Sequence, residues 1–126
     1  MSNDLKPTTL GHFEQLVLSA VLALNGREPY GLKVCEKISE FQGKEANLGS
    51  VYVTLDRLKR KGFVRVELSE PRPERGGKPR ASYFMTPAGE VALSESLRAS
   101  VRAYVATESF WDKVWETFKK LRPRRV

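Results

Sequence analysis

The sequence predicts a mainly helical α+β fold: three helices, a two-stranded hairpin, and a further helical stretch at the C-terminal end. Three observations carry this. Amphipathic stretches separated by glycine-containing turns fill residues 11–61. Val64, Val66 and Leu68 alternate with Arg65 and Glu67, and Ala81, Tyr83 and Met85 alternate with Ser82 and Phe84, as in half-buried strands. From Leu93 to Phe118 apolar residues recur at helical spacing for longer than so small a body can cover.

Residues 1–9 are polar and read as a flexible arm, with no signal-peptide pattern. A first helix, about Gly11 to Leu24, has Phe13, Leu16, Val17, Ala20, Val21 and Leu24 on one stripe. Leu18 and Leu22 fall outside that stripe, one turn apart, and suggest a second apolar contact with a partner subunit. Asn25-Gly26 stops the helix, since both residues tolerate the left-handed conformation. The second helix, about Tyr30 to Phe41, is expected to bury Leu32, Val34, Cys35, Ile38 and Phe41.

The third helix, Leu48 to Lys61, has a seam of Leu48, Val51, Leu55 and Leu58. On a wheel of 100° per residue, Ser50, Val53, Arg57, Arg60 and Lys61 lie opposite it, with Thr54 flanking that outer face. Tyr52 and Lys59 sit beside the seam, where an apolar stem packs and a polar tip reaches out. Gly62 ends the helix. The connection between the strands, Ser69 to Pro79, is longer than the two to five residues usual in hairpins, and its tip is basic and glycine-rich.

Thr86-Pro87 opens the C-terminal helix, a threonine cap before proline at the first helical position; Glu90 comes one residue too late for the reciprocal capping pattern. Leu93, Leu97, Val101 and Tyr104 form its stripe. Trp111, Trp115 and Phe118 continue the rhythm, and Phe110, Val114 and Leu121 widen it. Whether the stretch is one helix or breaks near residues 107–109 stays open, because Ser109 and Asp112 could restart it.

This order is that of a winged helix-turn-helix with a C-terminal dimerisation helix. The expected organisation is an arm (1–9), a DNA-binding domain (10–86) and a dimerisation segment with a basic tail (87–126). A chain of 126 residues makes one domain with a real core. The net charge is +7, and it is clustered. Residues 57–80 carry nine basic and three acidic side chains, and residues 113–126 six and one, so the remainder is net acidic.

A helix in a major groove presents its N-terminal residues to base edges. Ser50 and Thr54 suit hydrogen bonds there, and Val53 suits a thymine methyl. Arg57, Arg60 and Lys61 fit phosphates. A solvated amphipathic helix would look much the same; the hairpin tip decides. Arg75-Gly76-Gly77-Lys78-Pro79-Arg80 lets backbone approach closely and brings arginine to a narrow minor groove, which attracts it. The candidate dimer contacts are Leu18, Leu22, Leu97, Val101, Tyr104, Trp111, Trp115 and Phe118.

Enzyme chemistry has little to stand on. His12 is the only histidine, no carboxylate or cysteine cluster has metal-ligand spacing, and no phosphate loop or nucleophile elbow is present. No cofactor or metal is expected. Cys35 is alone, so no internal disulfide forms, and it reads as a small buried hydrophobe. No apolar run reaches membrane-spanning length, and a reducing cytoplasm is the expected location.

Leu10-Gly11-His12-Phe13-Glu14, Tyr30-Gly31, Gly49-Ser50-Val51-Tyr52 with Leu55-Asp56-Arg57-Leu58, and Arg75 to Arg80 continuing through Tyr83 to Thr86-Pro87-Ala88-Gly89 together resemble the PadR family of bacterial transcriptional regulators. The resemblance covers roughly residues 10–93. It implies a homodimeric repressor of palindromic operator DNA, released in some members by a small aromatic effector. It implies that Tyr52 and its neighbours face DNA, that Arg75 to Arg80 form the wing tip, and that the C-terminal helix holds the dimer. Some ligand-binding relatives place an aromatic near the middle of that helix; here Leu97 and Val101 occupy the stretch. The competing reading is a non-specific or architectural nucleic-acid-binding winged-helix protein; a module that binds only protein is a third.

Overall fold

The computed structural model describes residues 9–71 and 73–121, with Arg75 described by its backbone alone. The expected arm (to residue 8), the basic tail (122–126) and Arg72 lie outside the described residues. The elements follow the expected order: α1 (His12–Leu24), α2 (Gly31–Gln42), α3 (Leu48–Arg60), β1 (Val64–Leu68), β2 (Ala81–Met85), α4 (Pro87–Ala106) and α5 (Glu108–Leu121). The chain divides into two compact units, one ending at Ser96 and one beginning at Leu97.

In the first unit α1 packs against α2, α3 and β2. The core joins Val17, Leu18 and Val21 of α1, Val34 and Ile38 of α2, and Val51, Leu55 and Leu58 of α3, with Phe63, Val64, Ala92 and Leu93 closing it. A helix covered on several sides has little spare surface. Leu18 is therefore completely buried in its own subunit, not held out for a partner, while Leu22 is exposed as expected. The physical stripe of α1 is Glu14, Val17, Leu18 and Val21, an i, i+3, i+4, i+7 set, with Ala20 beside it.

Two residues expected inside α2 are exposed. Its buried stripe is Gly31, Val34, Cys35 and Ile38; Leu32 points off it, and Phe41 is exposed in the last turn. Cys35 is buried, and its thiol donates to the Ala46 carbonyl at 3.4 Å. Burial pushes that thiol up from its usual range, with Glu36 and Glu45 adding to the effect. Ser39 Oγ donates to the Cys35 carbonyl and accepts from the Ala46 N–H, both at 2.9 Å, which holds the turn into α3.

Left-handed residues stop the first two helices: Asn25 at φ 49° after α1 and Gly43 at φ 71° after α2. Thr86 caps α4 as its sequence implies. Its hydroxyl accepts from the Gly89 N–H at 3.0 Å and donates to the Gly62 carbonyl at 2.6 Å. The Thr86 N–H donates to the Phe63 carbonyl at 3.1 Å. Gly89 lies so close to that same carbonyl that a Cβ there would overlap it.

In the second unit the helical stretch does break, at Thr107. The cause is not the Ser109–Asp112 pair. The Thr107 hydroxyl bonds back to the carbonyls of Ala103 (2.9 Å) and Tyr104 (3.2 Å) and accepts from Trp111 Nε1 at 2.8 Å. Such back-bonding competes with the helical ladder and bends it.

Candidate nucleic-acid interface

Asn47 starts α3, its side chain accepting from the Ser50 N–H at 2.8 Å. With Val51, Leu55 and Leu58 fully buried, Ser50, Val53, Arg57 and Arg60 stand on the opposite, exposed side. Val53 is 57% exposed, an apolar side chain on the otherwise polar outer face. Tyr52 is half-exposed beside the seam. Its ring lies across the start of α2, where Gly31 makes room: a Cβ on Gly31 would collide with it. Arg60 pairs with Asp56 at 3.0 Å, an exposed i, i+4 pair that exchanges easily for a better anion.

Two residues leave the expected outer face. Thr54 is 4% exposed and belongs to the core. It stands three residues after Val51 and four before Leu58, which places it on the buried stripe. Lys61 caps the end of α3 and reaches α1: its Nζ meets Glu14 Oε2 at 2.8 Å. Glu14 Oε1 accepts from the Gly11 N–H at 2.9 Å. Burial alone would raise the Glu14 pKa; the bonds from Lys61 and Gly11, with the charges of Lys61 and Arg57, outweigh it and hold the carboxyl below its usual range. Lys61 is thus already neutralised. Glu14→Gln/Lys61→Met, which removes both partners and strands neither, is expected to leave the salt dependence of duplex binding unchanged. A log–log slope shallower by about 0.9 would mean that Lys61 meets a phosphate after all.

The wing is antiparallel, with Val64 opposite Met85 and Leu68 opposite Ala81. Pairing runs one step further than the strands: the Ser69 N–H donates to the Arg80 carbonyl at 2.9 Å, and the Arg80 N–H to Ser69 Oγ at 3.0 Å. The tip is a single 3-10 turn, Pro73–Arg75, closed by the Gly76 N–H on the Pro73 carbonyl at 3.0 Å. Gly76 (φ 67°) and Gly77 (φ 77°) follow in left-handed conformation with open space around them, which explains the paired glycines. Lys78 and Arg80 are exposed, and the Arg75 side chain lies outside the described residues. Leu68, expected to face inward, is 67% exposed near this end of the hairpin.

The base of the wing is fixed to the helical body. The Tyr83 N–H donates to the Pro29 carbonyl at 2.9 Å, and Tyr30 bridges to Ser82. The Arg80 guanidinium sits 4.3 Å from the centre of the Tyr30 ring, and Arg65 lies 4.6 Å from that of Phe84. The sequence reading missed Tyr30 and Lys33 as neighbours of the wing. The available signal was Tyr30-Gly31, where a residue without a side chain sits opposite an aromatic.

In the second unit α5 buries none of its residues within the chain. Leu97, Val101 and Tyr104 of α4 are exposed, as are Trp115 and Phe118 of α5, with Trp111 partly covered. Trp115 and Phe118 meet edge to face, ring centres 5.5 Å apart. Among the described residues, no helix is long and apolar enough to cross a membrane, and no cluster of His, Cys, Asp and Glu could hold a metal ion.

An exposed helix with a polar and basic outer face, beside a basic glycine-tipped wing, is the arrangement of DNA-binding regulators of the winged-helix class. The family model described as the transcriptional regulator PadR-like family matches residues 21–95, and the chain belongs to that family. The family is one of DNA-binding regulators, not of enzymes. RosR from H. salinarum is similar over 92% of this chain and 100% of its own, with 27% identity and a TM-score of 0.57. A PadR-like transcription factor from Bacteroides fragilis is 26% identical, covering 87% of this chain and 89% of its own at a TM-score of 0.55. A PadR family regulator from Clostridium difficile R20291 shares the fold at 18% identity and a TM-score of 0.63, over 80% of this chain and 99% of its own. No curated protein matches the sequence significantly.

Proposed function

We propose that this regulator is a homodimeric repressor, acting in the cytoplasm, that binds a palindromic operator. The observation that carries the dimer is α5, which buries nothing within its own chain and exposes Phe110, Val114, Trp115, Phe118 and Leu121. An apolar face of that kind needs cover, and a second copy of the same face supplies it symmetrically. In this reading Leu22, Leu97, Val101, Tyr104, Trp111, Trp115 and Phe118 form the dimer contact, and residues 87–126 are the dimerisation segment beside a DNA-binding part at 10–86. An aromatic effector would have to compete for the same side chains.

Two α3 helices held by such a dimer would meet half-sites about one helical turn, roughly 34 Å, apart. Ser50 and Val53 would read or touch base edges, Tyr52 would face the DNA beside them, and Arg57 and Arg60 would meet phosphates. Arg75, Gly76 and Gly77 at the wing tip would enter the minor groove, with Lys78 and Arg80 meeting the DNA beside them at the base of the wing. Repression is what the family resemblance implies.

The test is selection of bound sequences from random duplex DNA. The expected result is a two-fold symmetric motif; binding without any preferred motif would favour the architectural alternative. Arg75→Ala is expected to lower operator affinity about ten-fold while leaving the dimer intact. Unchanged affinity at moderate salt would remove the wing from the interface.

A further inference from the structure

A groove of about 580 Å³ opens between the start of α2 and the base of the wing, beside Tyr52 of α3. Lys33, Lys78 and Arg80 line it together with Tyr30 and Tyr52, against one carboxylate, Glu28. Three cations facing one carboxylate leave the groove positive. Its parts are also held in place. Stacking on Tyr30 fixes the Arg80 guanidinium while leaving its in-plane donors available. Gly31 lets the Tyr52 ring lie across α2. The Tyr30–Ser82 bridge and the Tyr83 bond to Pro29 join α2 to the wing, so both walls of the groove move together. Among the described residues Lys33 is engaged by Glu36, an exposed pair at 3.6 Å that a stronger anion displaces.

We propose that this groove seats one phosphodiester of the DNA backbone, held by Lys33, Lys78, Arg80 and the Tyr52 hydroxyl. The proposal rests on the DNA-binding reading above and extends it: α2, through Lys33 and the Tyr30 platform, becomes part of the contact. A duplex with α3 in its major groove and the wing in the neighbouring minor groove passes one backbone strand between them. The groove is lined by the start of α2 with Tyr52 of α3 on one side and by the wing base on the other, and so lies on that path. A phosphate contact here would set the register of α3 without reading sequence itself.

The test measures duplex affinity against salt for the full chain. The probes are a random-sequence duplex and one of equal length carrying the motif that the wild type selects. If the three cations share one phosphate, Lys33→Gln, Lys78→Gln and Arg80→Gln each barely change the log–log slope. The triple variant then makes it shallower by about 0.9, the contribution of a single phosphate. The loss of affinity should be equal on both duplexes. Tyr52→Phe keeps the ring and every charge, so it should weaken binding about ten-fold with the slope unchanged. The proposal is overturned if the triple variant keeps the wild-type slope, or if each single variant costs about 0.9 and the triple about 2.7. A loss confined to the motif duplex overturns it too, and unchanged affinity of Tyr52→Phe removes the hydroxyl from the seat. A wild-type chain without measurable duplex affinity would instead refute the DNA-binding reading on which all this stands. Circular dichroism of each variant separates loss of contact from loss of fold.

Discussion

Trp115→Ala is expected to weaken self-association by about 2 kcal/mol or more, roughly thirty-fold in the dimer dissociation constant. The side chain is half-exposed, packs edge to face on Phe118, and lies on a helix with no buried residue of its own. In the proposed dimer a large aromatic so placed gains its cover from the partner, and its removal would leave a hole in the contact. Operator affinity should fall with it, because two half-sites bound by linked subunits gain from effective concentration what two free subunits lose. Light scattering at micromolar concentration reads the first effect and titration of the selected operator the second. An unchanged dissociation constant would place Trp115 outside the dimer contact. Random-sequence duplex should respond less, since non-specific binding needs no fixed spacing between recognition helices.

Gly89→Ala should produce the largest loss of stability, about 3 kcal/mol, with a melting temperature lower by about 10 °C. The added methyl would meet the Phe63 carbonyl, which is backbone and cannot rotate away. To relieve the overlap, α4 must lift from the turn at Gly62-Phe63. Three hydrogen bonds clasp that junction: Gly89 to Thr86, Thr86 Oγ1 to Gly62, and the Thr86 N–H to Phe63. The same junction anchors β1 and the first turn of α4, so the wing would loosen as well. Differential scanning calorimetry checks the stability, and a melting temperature within about 2 °C of wild type would refute the argument.

Much of this was legible in the sequence. Alternation marked both strands, though not the exposure of Leu68, and the Arg75–Arg80 loop marked the wing. Threonine before proline marked the start of α4, and the lone Cys35 was correctly read as core. The misreadings share a cause. A helix wheel drawn from apolar residues alone assigns one face, yet α1 packs against several elements. Leu18 therefore went inward, and Thr54 was drawn into the core by its neighbours in spite of its hydroxyl. Glu14 could not be recognised as buried from its charge, because its partner Lys61 lies 47 residues away. The break between α4 and α5 depends on a rotamer of Thr107 and on the Trp111 indole, neither of which periodicity contains. The groove beside α2 was invisible for a similar reason: Tyr30, Tyr52 and Arg80 meet only once the wing has folded back.

The Glu14–Lys61 pair bears on any attempt to retarget this regulator. Exchanging recognition helices between relatives is a natural way to change an operator, and it treats the helix as a cassette with a readable outer face. Here the last residue of the cassette neutralises a carboxylate buried in the first helix. A donor helix with an uncharged residue at position 61 would strand Glu14 in a poorly solvated site, and the chimera would lose stability before its new specificity could be measured. Retargeting should therefore move positions 50 and 53 and leave the 14–61 couple in place, so that the new code is written on a helix whose seat is unchanged.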